Sequence, residues 1–202
     1  MGSFQLSPPI LVLFVSVIAV SVLAWMSRRL KEALLLLPYE VRRRKQVYRL
    51  LTAGWIHADV SHLAFNLLTL YFFAFELERS LGTGPLLFLY VTGVVVGFVP
   101  TTLRHMKEPG YASLGASGAV AAVMFAAVLL RPTMRIQLVF LPIPLPGFFY
   151  ALGYLAYSAY RAWKSDDGVN HEAHFAGAVY GAIVTFALEP AKVEAGIRHL
   201  LG

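Results

Sequence analysis

Residues 111–130 read YASLGASGAVAAVMFAAVLL, twenty positions without a charged side chain, in which the hydroxyl of Ser117 stands between Gly115 and Gly118. A helix needs about 20 apolar residues to cross roughly 30 Å of hydrocarbon, so the stretch reads as a membrane-spanning helix with a serine inside it. Serine alone there carries no chemistry, because small hydroxyl residues commonly join packed membrane helices. Its meaning depends on what the other segments bring.

The remainder of the 202-residue chain is of the same kind. It is 58% hydrophobic and 14% charged, with a mean hydropathy of +0.65, whereas soluble domains carry charge on about a quarter of their residues. The sequence is that of an integral membrane protein, with the lipid bilayer as its first partner. A net charge of +6 raises nucleic acid as another, but 8 of the 17 Lys/Arg lie between Arg28 and Arg49 and flank apolar spans. No folded basic domain carries them, which sets nucleic acid aside. With no cysteine, disulfides, thiolate nucleophiles and thiolate metal sites are excluded. Residues 1–27 hold no charged side chain and no A-x-A site follows Ala24, so Ile10 to Met26 is expected to be a retained membrane helix rather than a signal peptide.

Six hydrophobic segments follow one another at about 9–26, 58–77, 85–103, 112–130, 147–163 and 172–188. All are expected to be helices, since open strands facing lipid cannot satisfy their backbone groups. Turn and stop signals separate them: Gly82-Thr83-Gly84-Pro85, Pro109-Gly110, Arg131-Pro132 and Ser165-Asp166-Asp167-Gly168. Pro142, Pro144 and Pro146 make 136–146 a poor helix and an extended or interfacial connection. The first connector, 27–57, sets Leu34 to Leu37 beside Arg28, Arg29, Lys31 and Arg42 to Arg44. It reads either as an amphipathic segment in the headgroup region or as a solvated basic loop. One all-α membrane domain over residues 1–202, a bundle of six transmembrane helices, is the expected architecture.

Polar and ionisable residues inside spans are costly and face a bundle interior or water. In the second segment His62 and Asn66 stand four residues apart, hence on one helical face, and can aim two side-chain donors at one point. In the sixth, His174 precedes Gly177 and Gly181, whose spacing lets that helix approach another backbone closely. The fourth offers a matching small face in Gly118, Ala122 and Ala126, so packing of these two spans would bring His174 to Ser117. A serine hydroxyl needs an adjacent base to become a nucleophile, and neutral imidazole is one. His62, Asn66 and the Ser117 N–H then supply donors for an oxyanion. Glu172, two residues from His174, lies on another face, and Glu76 and Glu78 sit at a helix end, so the set reads as a dyad that needs no cofactor.

Other readings remain open from the residues alone. His62 and Asn66 could simply bond across helices. His171-Glu172-Ala173-His174 looks like part of a zinc-protease motif, but that motif needs its second histidine at i+4, where Phe175 stands. His57, beside Trp55, reads as an interfacial histidine.

Taken in order, His62-x-x-x-Asn66, Gly115-x-Ser117-Gly118 and His174-x-x-Gly177-x-x-x-Gly181 resemble the rhomboid family of intramembrane serine proteases, over about Tyr48 to Leu188. The resemblance implies a six-helix core with Ser117 as nucleophile and His174 as general base. It implies His62 and Asn66 as oxyanion donors, Gly115 and Gly118 as support for the serine, no cofactor or metal, and transmembrane proteins as substrates. Glu78, Leu81 and Gly82 look like the family's ending of the second helix, and Tyr48-Arg49 falls where members usually have Trp-Arg. Four residues after the serine, where many members carry a tyrosine that stacks on the histidine, this chain has Ala121. The resemblance points to a prokaryotic cell membrane with the N-terminus in the cytoplasm. Counting positive charge favours the reverse orientation, with 12 Lys/Arg in loops one, three and five against 5 on the other side. A catalytically inactive membrane-protein scaffold of the same fold and a transporter using the polar groups as a relay are the rival functions.

Overall fold

The computed structural model describes residues 6–137, 143–164 and 168–202. The chain begins with helix α1 (Pro8–Met26), whose prolines at the first turn are preset for helix and need no N–H partner there. Ser27 ends it and at once caps α2 (Arg28–Leu34), its hydroxyl accepting from the Leu30 N–H at 3.3 Å. Then come α3 (Pro38–Arg44), α4 (Arg49–Thr52) and a 3-10 turn over Ala53–Trp55. The long helices α5 (Val60–Leu81) and α6 (Thr83–His105) meet at Gly82, whose φ of +86° is open to glycine and strained for other residues. After them lie α7 (Ser117–Leu130), a two-residue antiparallel ladder of β1 (Arg135–Ile136) and β2 (Leu145–Pro146), α8 (Gly147–Lys164), α9 (His171–Leu188) and α10 (Pro190–Leu201).

Helix α7 is the hub. Every one of its residues except Ser117 and Leu129 is buried, as expected of a helix apolar on all sides. It packs against α5, α6, α8, α9 and α10, most extensively against α9. The outer helices point large apolar side chains away from the protein, among them Val12 and Leu23 of α1, Phe65 and Phe72 of α5 and Ile183 of α9. An apolar exterior of this extent fits a bilayer rather than water.

All six expected segments are helices. Three of them, α1, α5 and α6, are long and apolar enough to cross a membrane by length and composition. The fourth departs from expectation. It starts at Ser117 instead of 112 and has 14 residues, about 21 Å at a rise of ~1.5 Å per residue. Residues 111–116 are drawn out of the helix because they bond elsewhere. Ser113 exchanges both backbone bonds with Leu36 at 3.0 Å, and the Gly115 N–H donates to the Ala53 carbonyl at 2.9 Å. This loop enters the bundle and delivers Ser117 as the first residue of α7.

The first connector is neither a single amphipathic segment nor a free loop. It breaks at Leu35–Leu37, where Leu36 is fully buried under its bridge to Ser113. Arg49 is buried too, its Nη1 donating to the carbonyls of Glu32 (2.9 Å) and Leu35 (2.6 Å). The guanidinium lies over the Tyr48 ring at 5.4 Å. The connection 136–146 is extended at both described ends, where β1 and β2 pair, while Pro142 falls outside the described residues. Helix α10 was not expected. It docks on the end of α7 through buried Val193 and through Gly196, which meets the Leu129 and Leu130 carbonyls.

Candidate functional site

Ser117 owes its position to the turn before it. Gly115 has a φ of +112°, and a β-carbon there would stand 2.7 Å from Cε1 and 2.8 Å from Nε2 of His62, so both backbone and space demand glycine. The next N–H, of Ala116, donates to His57 Nε2 at 3.3 Å. His57 must therefore carry its proton on Nδ1, which lies 3.0 Å from the Ser21 hydroxyl, and Ser21 in turn donates to the Trp55 carbonyl at 3.1 Å. His57 is 1% exposed, a buried anchor and not the interfacial histidine its neighbours imply. Burial, with the nearby His62 adding to it, holds its pKa down to about 4. The first N–H groups of α7 have no partner within the helix, as at any helix start, and surround the Ser117 backbone with donors.

His174 is set by a second network. Asn170 caps α9: its Oδ1 accepts from the Ala173 N–H and from the Thr101 hydroxyl, each at 2.9 Å, and its Nδ2 donates to Ser113 Oγ at 3.0 Å. One amide thus ties α6, the loop before Ser117 and the turn that carries His174. Beyond it, α9 meets α7 with almost nothing between the backbones. A β-carbon on Gly177 would collide with the Gly118 carbonyl, and one on Gly181 with that of Ala122. Gly118 itself has the Ala173 carbonyl 3.1 Å from where a β-carbon would lie. The close approach expected from the small-residue spacing is present.

The result is a cavity of about 870 Å³ whose wall includes Ser117, His174, His62 and Asn66. Arg104 and Glu172 form an ion pair on the same wall. Asn66 is 8% exposed and donates through Nδ2 to the His62 carbonyl at 2.9 Å, a bond within its own helix rather than across helices. His62 Nδ1 accepts from the Ala58 N–H at 3.4 Å, which leaves Nε2 as the protonated nitrogen, turned toward Gly115. A smaller pocket of about 150 Å³ adjoins Ser117 on the side of α8, with Ala121 and Tyr154 in its lining. The Tyr154 ring stacks on His174, centroids 6.2 Å apart and planes at 24°. Among the described residues no group of three His, Asp or Glu gathers as metal ligands would. A hydroxyl and an imidazole on one cavity, beside hydrogen-bonded donors, is the pairing from which acyl-transfer sites are built.

The chain belongs to the rhomboid family. The Rhomboid domain model matches residues 44–191. The chain is 29% identical over 153 residues to RHOMBOID-like protein 12, mitochondrial, of Arabidopsis thaliana, covering 68% of this chain and 45% of that protein. It is 38% identical over 74 residues to the putative rhomboid protease YdcA of Bacillus subtilis, covering 36% of each. Over 162 residues it is 28% identical to the rhomboid protease GluP of Bacillus subtilis, covering 76% of this chain and 28% of that protein. The aligned stretch spans less than half the length of each of these relatives. They come from a plant and a bacterium, so the expected prokaryotic membrane is not supported, while the integral membrane character is.

Among the residues that build the site, Asn170 is not singled out by the sequence reading, although an asparagine before a helical run is a usual start signal. The contacts of His57 and Tyr154 have no such signal. No spacing rule links either to its partner, 59 residues away for His57 and Ala116 and on another helix for Tyr154.

Proposed function

We propose that the chain is an intramembrane serine endopeptidase, a six-span bundle that cleaves peptide bonds in or near transmembrane segments of other proteins. The observation that carries the reading is that Ser117 and His174, from two helices locked together by glycine, line one cavity with His62 and Asn66. Neutral His174 takes the proton of the Ser117 hydroxyl as Oγ attacks the scissile carbonyl carbon. The oxyanion is met by the Ser117 N–H, His62 Nε2–H and an Asn66 amide hydrogen, donors already in place before charge develops. His174 then hands its proton to the departing amine. Water, deprotonated by the same imidazole, attacks the acyl ester and releases Ser117. Gly115 and Gly118 keep the backbone close enough for this geometry, and no cofactor enters. Substrate segments with small or helix-breaking residues cost least to unwind at the cut.

The test is cleavage of a model transmembrane substrate by the reconstituted protein, with Ser117→Ala and His174→Ala as comparisons. Both variants are expected to lose cleavage, and a fluorophosphonate is expected to label Ser117 only when His174 is present. Wild-type cleavage rates in both variants would remove the dyad. A correctly folded wild type that neither cleaves nor labels would point to the inactive scaffold instead.

A further inference from the structure

We infer that Tyr154 is the positioning residue of His174, its ring supplying from α8 the flat surface that Ala121 does not supply from α7. The inference rests on the protease reading above, because a base needs a fixed plane only if it acts as one. Ala121 lies one helical turn beyond Ser117, is buried and ends at its β-carbon. The small pocket beside Ser117 is lined by both Ala121 and Tyr154, so the α7 position that lacks a ring and the α8 residue that has one face the same space.

The stack is held on both sides. Tyr154 meets Phe125 of α7 at 6.0 Å and Tyr150 of its own helix at 6.3 Å. His174 has the Tyr154 ring along one side at 24°, and the His171 ring edge-on at 5.6 Å and 77°. His171 is braced in turn by Tyr157, edge-on at 5.6 Å and 82°. An imidazole turns about two side-chain torsions, the second of them broad. A stacked ring restricts that second torsion through its π-face rather than through a hydrogen bond to a ring nitrogen. The π-face also favours the cation that His174 becomes when it holds the serine proton.

A ring that merely lined the substrate pocket would act through binding, which separates the two roles. In reconstituted full-length protein, Tyr154→Phe is expected to keep kcat within about twofold, since the ring remains. Tyr154→Leu, which fills space without a π-face, is expected to lower kcat about tenfold or more with KM little changed, part of the roughly 10²–10⁴-fold a positioned base supplies. Unchanged kcat in Tyr154→Leu, or a change in KM alone, would overturn the assignment. A second measurement needs no activity. In histidine-labelled protein the His174 Cε1 proton should lie upfield from the tyrosine ring current in wild type and Tyr154→Phe, and move downfield in Tyr154→Leu. The His57 resonance, unmoved, reports that the fold is intact. Identical His174 shifts in all three would refute the stack even if the Ser117 and His174 variants leave the protease reading standing. If those variants still cleave, the protease reading falls while the ring-current result still decides the contact.

Discussion

The N–H of Ala116 donates to Nε2 of His57, so the residue before Ser117 hangs from a histidine that can accept only while it is neutral. Its pKa is lowered from 6.5 to about 4 by burial first and by His62 second. A group whose folded pKa is depressed in this way is protonated more readily in the unfolded chain between those two values. The stability it gives is therefore complete above about pH 6.5 and lost as pH falls toward 4. The shift corresponds to about 3 kcal/mol at most. Unfolding of wild type in mixed micelles from pH 7 to pH 4 should lose up to that amount more than His57→Gln, which does not titrate. Parallel loss in the two proteins would show that His57 is not the acid-sensitive anchor.

The helices were readable because each is an apolar run between glycine, proline or charged turns, and five of the six segments lie within a few residues of their expected ends. The fourth misled because Tyr111 to Gly115 is as apolar as a helix while its backbone bonds go to Leu36 and Ala53. Hydropathy reports what a side chain tolerates, and cannot see carbonyls contributed by Ala53 and Leu36, 62 and 77 residues upstream of Gly115 and Ser113. Local spacing singles out His62, Asn66, Ser117 and His174 as candidates, and all four line one cavity. Tyr154 and His57 make tertiary contacts that have no local pattern.

The approach of α9 to α7 leaves no volume at Gly177, where an added methyl would meet the Gly118 carbonyl. Overpacking of this kind costs about 1–3 kcal/mol and is relieved only by parting the helices. Gly177→Ala should therefore lower stability by that amount and depress substrate cleavage by separating Ser117 from His174. Gly153→Ala within α8 is the control, since nothing lies within 4 Å of a β-carbon there, and it should leave cleavage near wild type and raise stability by up to about 1 kcal/mol through helix propensity. Equal effects at the two positions would mean that helix propensity, and not the α7–α9 contact, is being read.

Asn170 combines a helix cap with two ties to neighbouring elements. Asn170→Ala removes all three bonds and should cost about 1 kcal/mol for the cap alone, with a larger fall in cleavage because the turn carrying His174 is released. Asn170→Asp keeps the acceptor for Ala173 and Thr101 but not the donor to Ser113, and should fall between the two. Unfolding and cleavage assays on the three proteins should give the order wild type, Asp, Ala. An aspartate variant as impaired as alanine would shift the weight to the Ser113 tie.

Asn66 has one amide hydrogen committed to the carbonyl of His62 at 2.9 Å, and the second is free to serve the cavity that the side chain lines. The committed bond is local to one helix turn, so its loss in Asn66→Ala should cost no more than about 1 kcal/mol of stability. On the proposed mechanism the second hydrogen acts only when an oxyanion forms, and removing one such donor should lower turnover by about ten- to a thousandfold. The expected signature is a large fall in kcat with KM and unfolding nearly unchanged, because a donor used only in the transition state contributes nothing to substrate binding. Unchanged kcat would take Asn66 out of the oxyanion site and leave His62 Nε2–H and the Ser117 N–H as its donors. A rise in KM without loss of kcat would place the amide against the bound substrate instead.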